Sequence, residues 1–173
     1  MMARNRRPPT ERHIRVHGGD GDDQWFAIPR EVFDQYGDYL HYGDGRWQER
    51  LSIEPGAAKK ALHEWASFIR LANNGHVVVV KTENAVGKNP DLVLDGTISE
   101  VKTPSGSSRN TMSHQVEEAV DQAPFLFIDL MRAGLGFGAA RFSISRTARQ
   151  RLSKFRRITL MSQNGSEEVV FDD

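Results

Sequence analysis

The pair Asp95-Gly96 constrains this chain more than any other feature of it. It separates two short apolar runs, Leu92-Val93-Leu94 and Thr97-Ile98-Ser99-Glu100-Val101. Asp-Gly between alternating segments is a strong local signal for a two-residue hairpin turn. Closing the chain there fixes the pairing: Leu94 faces Thr97, Val93 faces Ile98, Leu92 faces Ser99, and Asp91 lies opposite Glu100. Side chains alternate along a strand, so Asp91, Val93, Ile98, Glu100 and Lys102 share one face, and Leu92, Leu94 and Val101 share the other. Two carboxylates therefore meet at the open end of the hairpin, with an amine beside them. Like charges directly opposite on a sheet are destabilising, and a bound divalent cation is the most economical reason to keep them. The plainer reading of the same residues is a pair of acids screened by water at a strand end.

The neighbouring segments supply a scaffold for that hairpin. Ala58, Ala61, Leu62, Trp65, Phe68, Ile69 and Ala72 recur at helical spacing, Pro55 suits a first turn and Gly75 a stop, which predicts an amphipathic helix. Glu64 falls at the border of its apolar face, where it either reaches a neighbouring site or meets solvent. The β-branched run of residues 76–81 predicts a strand buried on both faces. Residues 110–123 predict a second helix with Met112, Val116, Ala119, Val120 and Ala123 inward and Gln115 and Gln122 on a neighbouring face. Residues 125–130 read as another buried strand. The glycines of 134–138 lack the spacing of a nucleotide-binding loop and predict a plain connection. Residues 145–155 predict a short basic helix with Ala148, Leu152 and Phe155 inward, and 158–161 with 168–171 a terminal hairpin through Asn164-Gly165.

Length and charge bound the remainder. The 173 residues suit one core, with 1–23 as a mobile arm rich in Arg and Gly, 24–54 as an irregular aromatic-rich subdomain, and 55–173 as the core with its basic helix and hairpin. The absence of cysteine excludes disulfides, thiolate metal sites and cysteine nucleophiles. No apolar run approaches the roughly 20 residues of a membrane helix, so the chain as given reads as soluble. Net charge is zero but unevenly spread: residues 20–54 hold nine acids and three bases, and 141–157 hold seven bases and no acid. Within the second stretch Arg146, Arg149, Arg151, Lys154, Arg156 and Arg157 are candidates for holding a nucleic-acid backbone.

The order of elements is helix, strand, strand, strand, helix, strand, which predicts an α/β (α+β) fold with a mixed central sheet flanked by helices. Pro90-Asp91, then Glu100-Val101-Lys102, with Glu64 on the preceding helix, resembles the core of the PD-(D/E)xK nuclease superfamily, whose fold is restriction-endonuclease-like. With Asp95-Gly96, Thr103-Pro104, a helix ending near Gln122 and a strand carrying Asp129, it is more narrowly similar to the C-terminal nuclease domains of contact-dependent growth-inhibition toxins. The resemblance covers about residues 55–161. It implies a metal-dependent endonuclease acting on tRNA in a cytoplasm and neutralised by a cognate immunity protein. Glu64, Asp91, Glu100 and Lys102 would be catalytic, with Glu64, Asp91 and Glu100 on Mg²⁺, Mn²⁺ or Zn²⁺ and with Thr103, Gln115 and Gln122 as accessory contacts. Hard cations prefer such oxygen donors, and a lysine on the same face can orient or deprotonate water. Two other readings stay open. One is a metal-independent ribonuclease resembling the colicin D and barnase-like toxins, in which Lys102, His114, Arg109 or Ser and Thr hydroxyls carry the acid-base work without a cation. The other is a non-enzymatic module that binds a polyanion through the basic segment.

Overall fold

A computed structural model describes residues 7–18, 24–83, 91–108, 110–147 and 149–173. Among the described residues nine strands form one mixed sheet: β1 (His13–Val16), β2 (Trp25–Ala27), β3 (Leu51–Ile53), β4 (Val78–Val80), β5 (Leu92–Leu94), β6 (Thr97–Lys102), β7 (Phe125–Asp129), β8 (Arg157–Met161) and β9 (Glu167–Asp172), in the order β2-β1-β3-β4-β5-β6-β7-β8-β9. The helices are α1 (Arg30–Leu40), α2 (Trp47–Arg50), α3 (Leu62–Asn73), α4 (Thr111–Ala119), α5 (Phe137–Ser145) and α6 (Arg149–Leu152), with a 3₁₀ turn at Leu130–Arg132. The expected order of helix, three strands, helix and strand is α3-β4-β5-β6-α4-β7, and the sheet is mixed and flanked by helices as the sequence predicts.

The Asp-Gly hairpin forms in the predicted register, Leu92↔Ser99, Val93↔Ile98 and Leu94↔Thr97. Asp95 and Gly96 take φ of 50° and 82°, the left-handed conformation that a two-residue turn of this hand requires. β6 then pairs in parallel with β7, and β7 with β8, so each connection must cross over the sheet. α4 and α5 lie on one face, where Met112, Val116, Ala119, Ala140 and Ile144 bury against Leu126, Ile128, Ile158 and Leu160. α3 covers the opposite face, where Trp65, Phe68 and Ile69 join Val78, Val80, Leu92, Leu94, Val101 and Phe127. The face that carries Asp91 and Glu100 is thus covered by helices over β7 and β8 but open towards β4 and the turn end of the hairpin: Ile98 of β6 is 49% exposed, Val77 just before β4 is 53% exposed, and Val79 and Val93 are half-buried. For that reason β4 is not buried on both faces as expected.

Several boundaries differ from the sequence expectation. α3 begins at Leu62 instead of near Pro55, because Gly56 turns at φ 86° and Ala61 is extended, so residues 55–61 form a loop. His13–Val16, expected within an arm, is an internal strand paired to β2 and β3 with Ile14 fully buried, and the stretch expected to be irregular supplies α1, α2 and β3. The rest of the arm expectation, Arg4 and Arg6 included, lies outside the described residues except for 7–12, 17 and 18. The connection expected over 134–138 ends early, because α5 starts just after Gly136, an extended cap, and continues through 139–144, for which the sequence predicted no element. The basic helix is only one turn, Arg149–Leu152, because Ser145 and Arg146 end α5; Phe155 is buried as expected, and Ala148 lies outside the described residues. The terminal hairpin forms as predicted.

Candidate active site

Continuing the hairpin register by one pair sets Asp91 across from Glu100. Their backbones tie the carboxylates down: the Asp91 N–H donates to Glu100 Oε2 at 3.2 Å, and the Val101 N–H donates to Asp91 Oδ2 at 3.3 Å. Both are buried, Asp91 to 9% exposure and Glu100 to 3%. Burial first, and the Asp91 charge second, push Glu100 up to about 8 against an opposing pull from Lys102. Lys102 Nζ stands 3.2 Å from Glu100 Oε1. The two acids thus stand opposite each other with an amine beside them, as the hairpin register predicts.

Glu64 reaches the same cleft from the first turn of α3, although it also has a local task. Its Oε2 accepts the Ala61 N–H at 2.7 Å, which satisfies one of the free donors at the helix start. Burial pushes its carboxyl up, the Ala61 bond opposes this, and Asp91 adds to the rise. A cleft of about 290 Å³ is lined by Glu64, Asp91, Glu100, Lys102, Thr103 and Gln115, with His63, Val101, Pro104 and Ser105. Thr103 is anchored from below: its hydroxyl is 2.8 Å from Ser67 Oγ, which donates to Asp129 Oδ2 at 2.8 Å. Arg70 Nε donates to the same Asp129 oxygen at 3.0 Å, and the Arg70 guanidinium also holds the Tyr39, Ser162 and Gln163 carbonyls. This buried network fixes the exit of β6 against α3 and β7, and the expected Asp129 belongs to it and not to the cleft.

Sequence reasoning missed two cations and an imidazole. Lys60, whose side chain is 2% exposed, lies 3.8 Å from Asp91 Oδ1 and 3.3 Å from Glu83 Oε1. It arrives on the 55–61 loop that the helical periodicity concealed. Arg132 donates to the Thr103 carbonyl at 3.3 Å and sits near His63. His63, half-buried at the cleft wall, is pushed down by burial and then by Arg132. Its position next to Glu64 in the sequence was the available signal.

The remaining candidates do not converge on the cleft. Gln122 is half-buried elsewhere, and its Oε1 has no hydrogen-bond partner among the described residues. Arg146, Arg149, Arg151, Lys154, Arg156 and Arg157 are exposed and none lines the cleft; Lys154 pairs with Asp121 at 3.7 Å and Arg157 with Asp172 at 3.4 Å. His114 is exposed and pairs with Glu118 at 3.1 Å. Pro90 and Arg109 lie outside the described residues.

Among the described residues no three histidine, aspartate or glutamate side chains form a group able to hold a metal ion. Asp91 and Glu100 nevertheless fit a small hard cation: both are oxygen donors, their repulsion and burial disfavour two bare charges, and Mg²⁺ is commonly held by one or two carboxylates with water and substrate completing its shell.

The comparisons with known proteins agree with this architecture. The mixed α/β fold is shared with a chain of the CdiA-CT/CdiI toxin and immunity complex from Burkholderia pseudomallei, at a TM-score of 0.53 and 20% identity over 69% of this chain and 96% of that one. Residues 88–166 match the model of the contact-dependent growth inhibition CdiA C-terminal domain. Asp91, Glu100 and Lys102 fall inside the matched segment and Glu64 outside it. No curated protein matches the chain. No helix among the described residues is long and apolar enough to cross a membrane.

Proposed function

We propose that the chain is a toxin domain whose activity is metal-dependent endonucleolytic cleavage of nucleic acid, with tRNA as the substrate class and a PD-(D/E)xK arrangement as the catalytic core. The observation that carries this reading is the facing of Asp91 and Glu100 at the buried mouth of one hairpin, with Lys102 on the same face and Glu64 in the same cleft. The match of residues 88–166 and the likeness to a toxin and immunity complex support the toxin role, and with it a cognate immunity protein as partner.

Phosphodiester hydrolysis needs an in-line nucleophile, relief of charge on the phosphoryl oxygens and help for the leaving oxygen. Asp91 and Glu100, with the Val101 carbonyl, would hold Mg²⁺ or Mn²⁺; Glu64 would join directly or through water. The cation when bound supplies charge relief and acidifies water. Lys102 orients the attacking water, takes or shares its proton, and offsets the negative charge that builds on the phosphate. Thr103 and Gln115 line the path of the strand, and Thr103 is held in place by Ser67 and Asp129.

One observation favours a second reading. The cleft holds Lys102 and the half-buried His63 without a three-residue metal group, which is what a metal-independent ribonuclease would use. Purified protein incubated with tRNA, rRNA and plasmid DNA, in Mg²⁺ and in EDTA, separates the two. Cleavage only with the cation supports the first, full activity in EDTA replaces it with the second, and tight salt-sensitive binding without cleavage replaces both with a binding module.

A further inference from the structure

A second concavity lies on the other side of α4 from the cleft. It encloses about 610 Å³ and is lined by Asn110, Ser113, Leu135, Ala139, Phe142, Ser143 and Arg146. Ser113 faces this groove and Gln115 faces the cleft. The two positions are ~200° apart around the helix, so the first turns of α4 form the wall between the two hollows.

The groove combines an apolar platform with positive charge. Phe142 is 62% exposed, an unusual position for a large apolar ring, and the Arg146 guanidinium carbon lies 5.6 Å from its ring centroid. An i,i+4 contact of this kind also occurs on ordinary helix surfaces, and the surrounding charge separates the two cases. Arg141, Lys154 and Arg157 are paired with Glu168, Asp121 and Asp172. Arg146, Arg149, Arg151 and Arg156 have no carboxylate partner among the described residues. Arg146 beside an exposed ring, in a groove that also presents Asn110, Ser113 and Ser143, complements a phosphate with an unstacked base, and the other three arginines follow on the next residues of the chain.

We propose that this groove is a nucleotide subsite, taking one base of a single-stranded stretch of substrate onto Phe142 and its adjoining phosphate onto Arg146. The proposal rests on the nuclease reading for the identity of its ligand, and it makes a single-stranded loop or end, not a duplex, the part of the substrate held next to the cleft.

Binding is measured in a Lys102→Ala background, so that no strand is cut, with a labelled single-stranded oligoribonucleotide and the same oligomer carrying abasic positions. Phe142→Ala weakens binding of the base-bearing oligomer about tenfold, Phe142→Trp restores it, and the abasic oligomer binds the parent and Phe142→Ala alike. Arg146→Gln weakens both oligomers and lowers the salt slope by roughly 0.7. Thermal melts check that the Phe142 variants keep the fold, as its exposure leads one to expect. Equal affinity of parent and Phe142→Ala for the base-bearing oligomer overturns the subsite, and so does displacement of that oligomer by polyglutamate as readily as by RNA. Cleavage by the wild-type chain is a separate arm. Base-dependent binding without any cleavage supports the subsite and removes the nuclease reading; cleavage without base-dependent binding removes the subsite alone.

Discussion

The two ends of the β5–β6 hairpin each bring carboxylates together, and they treat them in opposite ways. At the turn, Asp95 Oδ2 lies 2.6 Å from His76 Nδ1, and Glu167 Oε1 and Oε2 lie 2.8 and 2.9 Å from Nε2. Asp95 Oδ1 also accepts the Val77 N–H at 2.7 Å, and Asn74 donates to Glu167 Oε2 at 2.8 Å. One imidazolium and two further donors satisfy both acids, and the cluster clasps the hairpin turn and the start of β4 to β9. At the open end, Asp91 and Glu100 accept backbone N–H groups and have lysines at their flanks, but among the described residues no group stands between them to neutralise both. The satisfied pair is explained by structure alone. The pair at the open end keeps two buried carboxylates face to face, and burial with the Asp91 charge raises Glu100, the kind of perturbation that the proposed function would use.

The largest test of this contrast is catalytic. Lys102→Ala, Asp91→Ala and Glu100→Ala should each lower cleavage by roughly 100-fold or more, the scale expected for removing an acid-base or charge-stabilising group. His76→Gln should leave the rate at low temperature within about twofold and act on stability instead, since it touches only the structural pair. Wild-type turnover in the Lys102 variant, or a His76 variant as dead as the others while folded, would break the distinction.

Stability against pH sharpens it. Burial opposes a charge on His76, but the hydrogen bonds to Glu167 and Asp95 outweigh burial and raise it to about 9. A raised histidine stabilises the folded state fully below its unfolded value of about 6.5, and that contribution is lost as pH climbs through 9. Removing the ring should cost about 1.5–3 kcal/mol at pH 6, as for hydrogen bonds to charged groups, and much less above pH 10. Chemical denaturation of wild type and His76→Gln at the two pH values measures it; a cost that does not change with pH would show that the clasp acts by packing.

How much of this the sequence disclosed depended on whether the signal was local. The hairpin and its acid pair were legible because turn chemistry and strand alternation both act over ten residues. His13–Val16 was not, because its partners are β2 and, far along the chain, β3, and four residues between an arginine- and proline-containing stretch and a glycine- and aspartate-rich one carry no period of their own. Lys60 was concealed by a correct helix extended too far: apolar spacing continues through Ala58 and Ala61, while Gly56 and the extended Ala61 keep that segment out of the helix. The His76 clasp joins residues 19 and 91 positions apart, which no window on the sequence spans. The basic segment was legible as charge, but its relation to the cleft depended on α5, whose start among glycines read as a loop.

The open end should show the converse behaviour in stability. Glu100 is raised to about 8, so ionising it costs nothing below about 4.5 and the full amount above 8. In EDTA at pH 8.5, Glu100→Gln should therefore be more stable than wild type by on the order of 1 kcal/mol, because lysines and solvent offset part of the repulsion. Excess Mn²⁺ should raise the melting temperature of wild type and have little effect on the variant, since a ligand that binds only the native state stabilises by mass action. A variant less stable than wild type in EDTA, with equal metal responses, would show that the two carboxylates are not a frustrated pair.

The smallest expected effect concerns Lys60, which makes the open end resemble the clasp in part. Its ammonium is 3.8 Å from Asp91 Oδ1 and also serves Glu83, so it offsets one acid from the side without bridging to Glu100. A divalent cation approaching Asp91 meets this positive charge and competes with it for the same oxygen. Lys60→Met keeps the length and apolar body of a side chain that is 2% exposed, and removes only the charge. The variant should bind Mn²⁺ about three- to tenfold more tightly in calorimetric titration, a change of about 0.7–1.4 kcal/mol. It should also be slightly less stable than wild type in EDTA and recover in Mn²⁺, because the repulsion that Lys60 relieved is then relieved by metal. Weaker Mn²⁺ binding in Lys60→Met would mean that the amine organises Asp91 for the cation, and that the two ends of the hairpin differ in geometry more than in the charge left unbalanced.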